Sequence, residues 1–405
     1  MIDATMTKRM EEATRLTRAG KLIEAMALLQ GGGDDIKSQQ ASKASSWAGD
    51  VYESTCQVVE EEVSTVKPET ASSPFGCTQQ APAWRGKWSS FQGMAQPSHT
   101  PGHSEEARPG AFTAGSFSNR AGSRDYKLYV PSNYRGQAIP LVIMLHGCTQ
   151  NPDDFAAGTN MNQLAEEQSF CVLYPAQPIS ANSSKCWNWF KAEDQHREGG
   201  EPEILAGMAR QIIQTHGLDA SRVYVAGLSA GAAMATTLAM TYPELFAAVG
   251  VHSGLPHGVA KSLPDALGAM QGGTPAFRRR ESGFSSAVPA IIFHGDRDTT
   301  VHPSNAERVA AQYTASQSVS KTAKADARPA GINIEQGRVA NGHTYTRTIH
   351  HSPEGKACLE QWRIHGAGHA WSGGSTKGSY TDPKGPDATK EMLRFFLQHC
   401  QPNKS

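Results

Sequence analysis

The chain has no net charge to offer a polyanion: its 405 residues carry 38 Lys and Arg against 38 Asp and Glu. Without a broad field of one sign, nucleic acid and anionic membrane surfaces are set aside as partners. An apolar run long enough to cross a bilayer is also missing, and Met1 to Arg9 has no basic stretch leading into an unbroken apolar core. The expectation from both absences is a cytoplasmic protein with no transmembrane segment. Zinc finds no support either, because the seven cysteines are odd in number, irregularly spaced and without a CxxC pair. Thiols are the default state, with a bridge between Cys148 and Cys186 as the alternative in an oxidising compartment.

The apolar residues concentrate after about Tyr126. Residues 1–33 read as a helical hairpin around Gly20, with Met6, Met10 and Leu16 on one apolar face and Leu22, Met26 and Leu29 on the other. Such faces can dock on the protein's own domain, on a second subunit, or on an apolar surface such as a polymer granule. Residues 34–123, rich in Ser, Gln, Gly, Pro and Ala, read as a largely disordered linker. A catalytic-sized domain then spans 124–400.

Within it, strand patterns alternate with helical ones. Tyr126 to Pro131 alternates like an edge strand, whereas Pro140 to Leu145 is a continuous apolar run, as a strand buried on both faces requires. Further strands are expected at Phe170 to Tyr174, Val223 to Ala226, Ala247 to Val251, Val288 to Phe293, His343 to His350 and Leu359 to Ile364. Helices are expected at Asn162 to Gln168, Glu203 to Thr215, Ala232 to Tyr242, Pro303 to Tyr313 and Ala388 to His399, the last capped by Asp387. The fold class is therefore α/β, a mainly parallel sheet flanked by helices. Pro256 to Ala287 is a long glycine-rich excursion, a lid or substrate-binding segment, or a surface insertion.

In such sheets functional groups collect at the carboxyl ends of the strands. Gly227-Leu228-Ser229-Ala230-Gly231 joins a strand to a helix with a serine at the apex and small residues two places either side, which a tight strand-to-helix elbow needs. A serine hydroxyl is a poor nucleophile unless a base takes its proton and an acid orients that base. His369, on the flexible Gly366-Ala367-Gly368 approach, is the chosen base over His365, His350, His351, His343, His252 and His294. Asp298 is the chosen acid and Asp296, after the same strand, its rival. The backbone N–H groups of Ala230 and Cys148 are the candidate oxyanion donors, with His146 structural. Cys148 as the nucleophile is the competing idea.

Five segments in one order, LHGCTQ (145–150), CWNWF (186–190), GLSAGAAM (227–234), HGDRDTTV (294–301) and GAGHAWSGG (366–374), resemble the poly(3-hydroxybutyrate) depolymerase family of esterases, relatives of the feruloyl and acetylxylan esterases of carbohydrate esterase family 1. The resemblance implies an α/β-hydrolase fold, Ser229, Asp298 and His369 as triad, the Cys148 and Ala230 amides as oxyanion hole, and no metal or organic cofactor. It departs from secreted members in its N-terminal hairpin, which resembles an intracellular enzyme acting on stored polyester or its oligomers. Trp187, Trp189 and Trp371 are candidates for an apolar wall around the acyl chain. The rival readings are a feruloyl or acetylxylan-type esterase, and a catalytically silent hydrolase-like protein recruited to granules or a partner.

Overall fold

The computed structural model describes residues 110–272, 288–319, 331–352 and 354–402. The expected hairpin of residues 1–33 lies outside them. Ten strands form one sheet: β1 (Ala111–Asn119), β2 (Gly122–Val130), β3 (Leu141–Leu145), β4 (Cys171–Pro175), β5 (Val223–Leu228), β6 (Ala248–His252), β7 (Ala290–Gly295), β8 (Ile332–Arg338), β9 (Thr344–His351) and β10 (Ala357–His365). Their spatial order is β1-β2-β4-β3-β5-β6-β7-β10-β9-β8. The six strands from β4 to β10 run parallel, and antiparallel strands close both ends. The described chain thus has the α/β-hydrolase fold.

The parallel strands are buried at every position from β3 through β7, because helices cover both faces. Alternate residues therefore enter two cores. Leu141, Ile143, Leu145, Val223, Val225, Val249 and Ile292 face one, shared with α3 (Gly200–His216) and α4 (Ala230–Thr241). Val142, Met144, Tyr224, Ala226, Ile291 and Phe293 face the other, shared with α1 (Pro152–Thr159), α2 (Met161–Gln168) and α7 (Ala388–Phe396). In α7, Asp387 accepts from the N–H of Lys390 at 3.0 Å, the expected cap, and Phe396 stacks on Tyr224 with centroids 5.0 Å apart. Truncating Phe396 to alanine would cost about 3–5 kcal/mol by the usual cavity scale.

Two expectations need correction. β1 falls inside the segment read as linker: its Ser, Gly and Ala residues gave no apolar stripe, yet its backbone pairs with β2 over nine positions. β2 is consequently an interior strand rather than an edge. The excursion after β6 contains a helix, α5 (Leu263–Met270), capped by Ser262, which accepts from the N–H of Asp265 at 3.3 Å. Helix α6 (Ser304–Val319) and the antiparallel strand β8 complete the elements that matter below. Among the described residues no helix is long and apolar enough to cross a membrane.

Candidate active site

At the end of β5 the chain turns through Ser229 with φ 58° and ψ −119° and enters α4. Positive φ is strained for a residue with a side chain, and the strain is held by packing on all sides. The N–H of Ser229 donates to the His252 carbonyl at 2.9 Å, and its own carbonyl accepts from Ala233 at 3.0 Å. A Cβ on Gly231 would lie 2.1 Å from the Leu145 carbonyl oxygen, and one on Gly227 would lie 2.4 Å from the Gly231 backbone. No side chain fits at either place, which is why the elbow is built from glycine. Every residue of α4 is buried, so its small Ala and Gly side chains let the helix pass directly over the sheet.

β7 carries the two acids beyond its end. Asp298 is buried; its Oδ1 accepts from the N–H groups of Thr300 and Val301 at 2.9 and 2.8 Å, and its Oδ2 accepts from His369 Nδ1 at 2.7 Å. Burial alone would raise the carboxyl pKa and is the largest effect. The charge interaction with His369 and hydrogen bonds from His294 and His369 together outweigh it, and the group is held well below the ordinary carboxylate range. Asp296 goes elsewhere: its Oδ2 meets His365 Nδ1 at 2.9 Å and its Oδ1 accepts from the Gly366 N–H at 2.7 Å. The rival acid is thus paired with a rival histidine. His343 pairs with Asp382 at 2.8 Å, and His350 and His351 stand at the end of β9 that faces the start of β10.

His252 links the elbow to this acid and base. Its carbonyl receives the Ser229 N–H, while its ring, stacked on Phe293 and Trp371, senses the charges of His294, His369 and Asp298. Burial first, then His294 and His369, push its pKa down to about 3, so it stays neutral at the centre of the site.

The loop after β3 supplies the remaining wall. A Cβ on Gly147 would sit 3.7 Å from the Ser229 Cβ, which places the following peptide beside the serine. His146 is structural, as expected: it is buried, its Nδ1 faces the Gly147 carbonyl at 2.8 Å and its Nε2 accepts from Gln177 N–H at 3.2 Å. Burial pushes its pKa down to about 4. Gln150 Oε1 holds the Gly147 N–H at 2.9 Å. Cys148 and Cys186 are joined in a disulfide, so the thiol default is corrected. The sulfur that a Cys148 nucleophile would need is already bonded.

Of the three tryptophans expected around an acyl chain, one borders a cleft. Trp189 lines a cleft over Ser229 together with Phe190, the disulfide, Val301 and Leu263, Leu267 and Met270 of α5. Trp187 and Trp371 are corrected to core residues, because each buries its ring and satisfies its indole N–H internally. Trp187 donates to the His146 carbonyl at 3.1 Å and Trp371 to Thr389 Oγ1 at 2.9 Å. The α5 wall lies in the excursion read as a lid, a substrate-binding segment or a surface insertion; its helix was not anticipated, although Leu263, Leu267 and Met270 recur at i, i+4 and i+7. A buried polar group behind the wall was also missed: Glu201 accepts from Asn188 N–H at 2.7 Å and pairs with Arg124 at 3.1 Å, holding the Trp187–Trp189 segment in place. Nothing in the local sequence marks Glu201 as buried, since its partners come from three distant segments.

Chemically, the arrangement offers a strained, partly shielded hydroxyl, an imidazole whose Nδ1 is committed to a buried carboxylate, and an apolar cleft. Residues 124–337 match the family model described as Esterase PHB depolymerase. The chain is 36% identical over 245 residues to the poly(3-hydroxyalkanoate) depolymerase C of Paucimonas lemoignei, a match covering 57% of this chain and 59% of that one. It is 32% identical over 293 residues to a probable acetylxylan esterase A of Aspergillus fumigatus, covering 64% and 76%. Among solved structures, the acetyl xylan esterase from Aspergillus awamori superposes with a TM-score of 0.53 at 25% identity, over 68% of this chain and 94% of that one. The match thus spans less than two thirds of the bacterial depolymerase. With the fold, the elbow and the family match in hand, the chain belongs to the esterase PHB depolymerase family.

Proposed function

We propose that the protein is a serine esterase that hydrolyses hydroxyalkanoate polyester or its oligomers through an acyl-enzyme. In this reading the Ser229 oxygen attacks the ester carbonyl while His369 Nε2 takes its proton, and Asp298 keeps the imidazole in the Nδ1–H tautomer. The amides of Cys148 and Ala230 receive the developing oxyanion. Collapse of the tetrahedral intermediate expels the alcohol, protonated by His369, and water then repeats the sequence on the acyl-serine. The observation that carries the proposal is His369 paired at 2.7 Å with the buried Asp298, together with a serine held at positive φ and hydrogen-bonded to His252, whose ring senses that pair. The apolar cleft of Trp189, Phe190 and α5 suits a hydrocarbon acyl chain.

A serine-directed phosphonate tests the mechanism: it should label the wild-type protein and leave Ser229→Ala unlabelled. Labelling that persists in Ser229→Ala would move the nucleophile. Rates on amorphous poly(3-hydroxybutyrate), soluble oligomers, methyl ferulate and an acetylated xylo-oligosaccharide test the substrate. The match to the acetyl xylan esterase fold favours the carbohydrate ester as the second reading, and a preference for the acetylated sugar would establish it over the polyester.

Granule attachment through residues 1–33 is part of the proposal. Deleting them should lower the rate on amorphous granules and spare a soluble ester; equal loss on both would refute tethering. Cytoplasmic residence belongs to the same proposal, and a thiol titration of the protein taken from cells checks it, because a Cys148–Cys186 bridge is characteristic of an oxidising compartment.

A further inference from the structure

The proposed triad leaves one buried imidazole without a task. His294 stands at the end of β7, 2% exposed and four residues before Asp298. Its Nε2 lies 2.8 Å from the Val301 carbonyl oxygen and 3.3 Å from Oδ2 of Asp298. Its Nδ1 is buried with no hydrogen-bond partner among the described residues.

A neutral imidazole carries one N–H. On Nδ1 that proton would be a stranded buried donor, and the Nε2 lone pair would face two oxygen acceptors, so the proton belongs on Nε2. From there a single N–H reaches both oxygens. It ties the turn from Asp298 to Val301 down onto its own strand, and the same turn delivers the Thr300 and Val301 amides to Oδ1 of Asp298. Each oxygen of the carboxylate then has two donors: the two amides on Oδ1, and on Oδ2 His369 at 2.7 Å with His294 at 3.3 Å. Val301 also lines the cleft, so the turn that aims the acid forms part of the substrate wall.

Resting on the serine-esterase reading, we infer that His294 is a positioning residue: its Nε2–H, shared between the Val301 carbonyl and Asp298, holds the carboxylate aimed at His369. The titratable groups around it are Asp298, His369 on the loop after β10, and His252 on β6, which burial keeps neutral. Removing the shared donor concentrates charge on Oδ2, which strengthens the pair with protonated His369. The acid limb of kcat/KM must then move to higher pH.

The test compares His294→Leu and His294→Gln in the full chain, on a soluble p-nitrophenyl ester from pH 5 to 9, beside wild type and Asp298→Asn. His294→Leu should lose about 10- to 100-fold in kcat, the worth of one hydrogen bond to a charged group, with KM little changed and the acid limb raised. His294→Gln, whose side-chain amide can reach the same oxygens, should recover most of the rate and the wild-type limb. A structural role alone would lower the melting temperature of both and leave the limb in place. A wild-type limb in folded His294→Leu, or glutamine no better than leucine, overturns the inference. Should neither variant fold, ¹⁵N spectra of the wild-type imidazoles decide: Nε2–H at His294 supports it and Nδ1–H refutes it. Failure of wild type to react with a phosphonate, or full activity in Asp298→Asn, would instead sink the esterase mechanism on which the inference rests.

Discussion

Two carboxylates leave the end of β7 two residues apart, and each meets a histidine carried by the end of β10 or the loop beyond it. Asp298 and His369 form a pair at 2.7 Å whose acid side chain is wholly buried; Asp296 and His365 form one at 2.9 Å with about a third of each side chain in water. Their hydrogen-bond diagrams are nearly alike. His365 Nε2 even meets a hydroxyl, Thr346 Oγ1, at 2.9 Å, so that a hydroxyl, an imidazole and a carboxylate stand in line. What separates the two is environment. Thr346 lies in an antiparallel strand of ordinary geometry, whereas Ser229 is strained at a helix start under an apolar cleft. Charge interactions weaken with exposure, so the same three group types can do chemistry in one place and latch a loop in the other. The outer pair does latch a loop: Asp296 holds the Gly366 N–H, and the Arg297 N–H holds the Ala367 carbonyl at 3.0 Å, three and two residues before His369.

The sharpest way to break this comparison is to remove each acid in turn. Asp298→Asn should reduce turnover on a soluble ester by on the order of 10⁴, because the imidazole loses its enforced tautomer. Asp296→Asn should cost less than about 10-fold, the expected price of loosening a hydrogen-bonded loop. A large loss in Asp296→Asn with a mild one in Asp298→Asn would exchange the roles assigned here.

A second contrast is between imidazoles the fold hides and those it leaves in water. Burial lowers His146 and His257 to about 4 and His252 and His399 to about 3. Each folded value lies below the unfolded one near 6.5, so the unfolded chain takes up the proton first as pH falls. Their stabilisation is complete above about pH 6.5 and declines below it, by roughly 1.4 kcal/mol per pH unit for each group. Asp194, raised to about 6 chiefly by burial and then by Glu201, acts with the opposite sign and offsets about one of the four. Urea midpoints at pH 7, 6 and 5 should therefore fall steadily. A flat profile would mean that these rings are not held neutral in the folded state.

The smallest expected effect belongs to the outer pair itself. His365→Gln should change folding stability by no more than about 1 kcal/mol, as for other solvent-exposed ion pairs, with a modest effect on turnover. Denaturation and kinetics on the same variant check both, and a loss comparable to that of His369→Gln would place the outer pair in the chemistry.

Much of this was legible in the one-dimensional pattern. Apolar runs at 141–145, 223–226 and 288–293 specify strands covered on both faces, and the spacing of Gly227, Ser229 and Gly231 specifies the elbow, because local sterics tolerate no Cβ there. Asp387 as a cap is equally local. The strand β1 was not legible, since its residues bury little side chain and its register comes from β2. Nor was the fate of the tryptophans: Trp187, Trp189 and Trp371 are chemically equivalent in a sequence, and only the arrival of His146 and Thr389 beside two of them turns those two into core. The state of Cys148 and Cys186 and the partners of Glu201 likewise depend on segments brought together from far apart in the chain. By itself, then, the sequence determined which groups exist and at which strand ends they emerge, because backbone period and steric exclusion act over a few residues. Which histidine meets which carboxylate, and which pair loses its water, was decided by tertiary packing, because burial and long-range hydrogen bonds are properties of the assembled core.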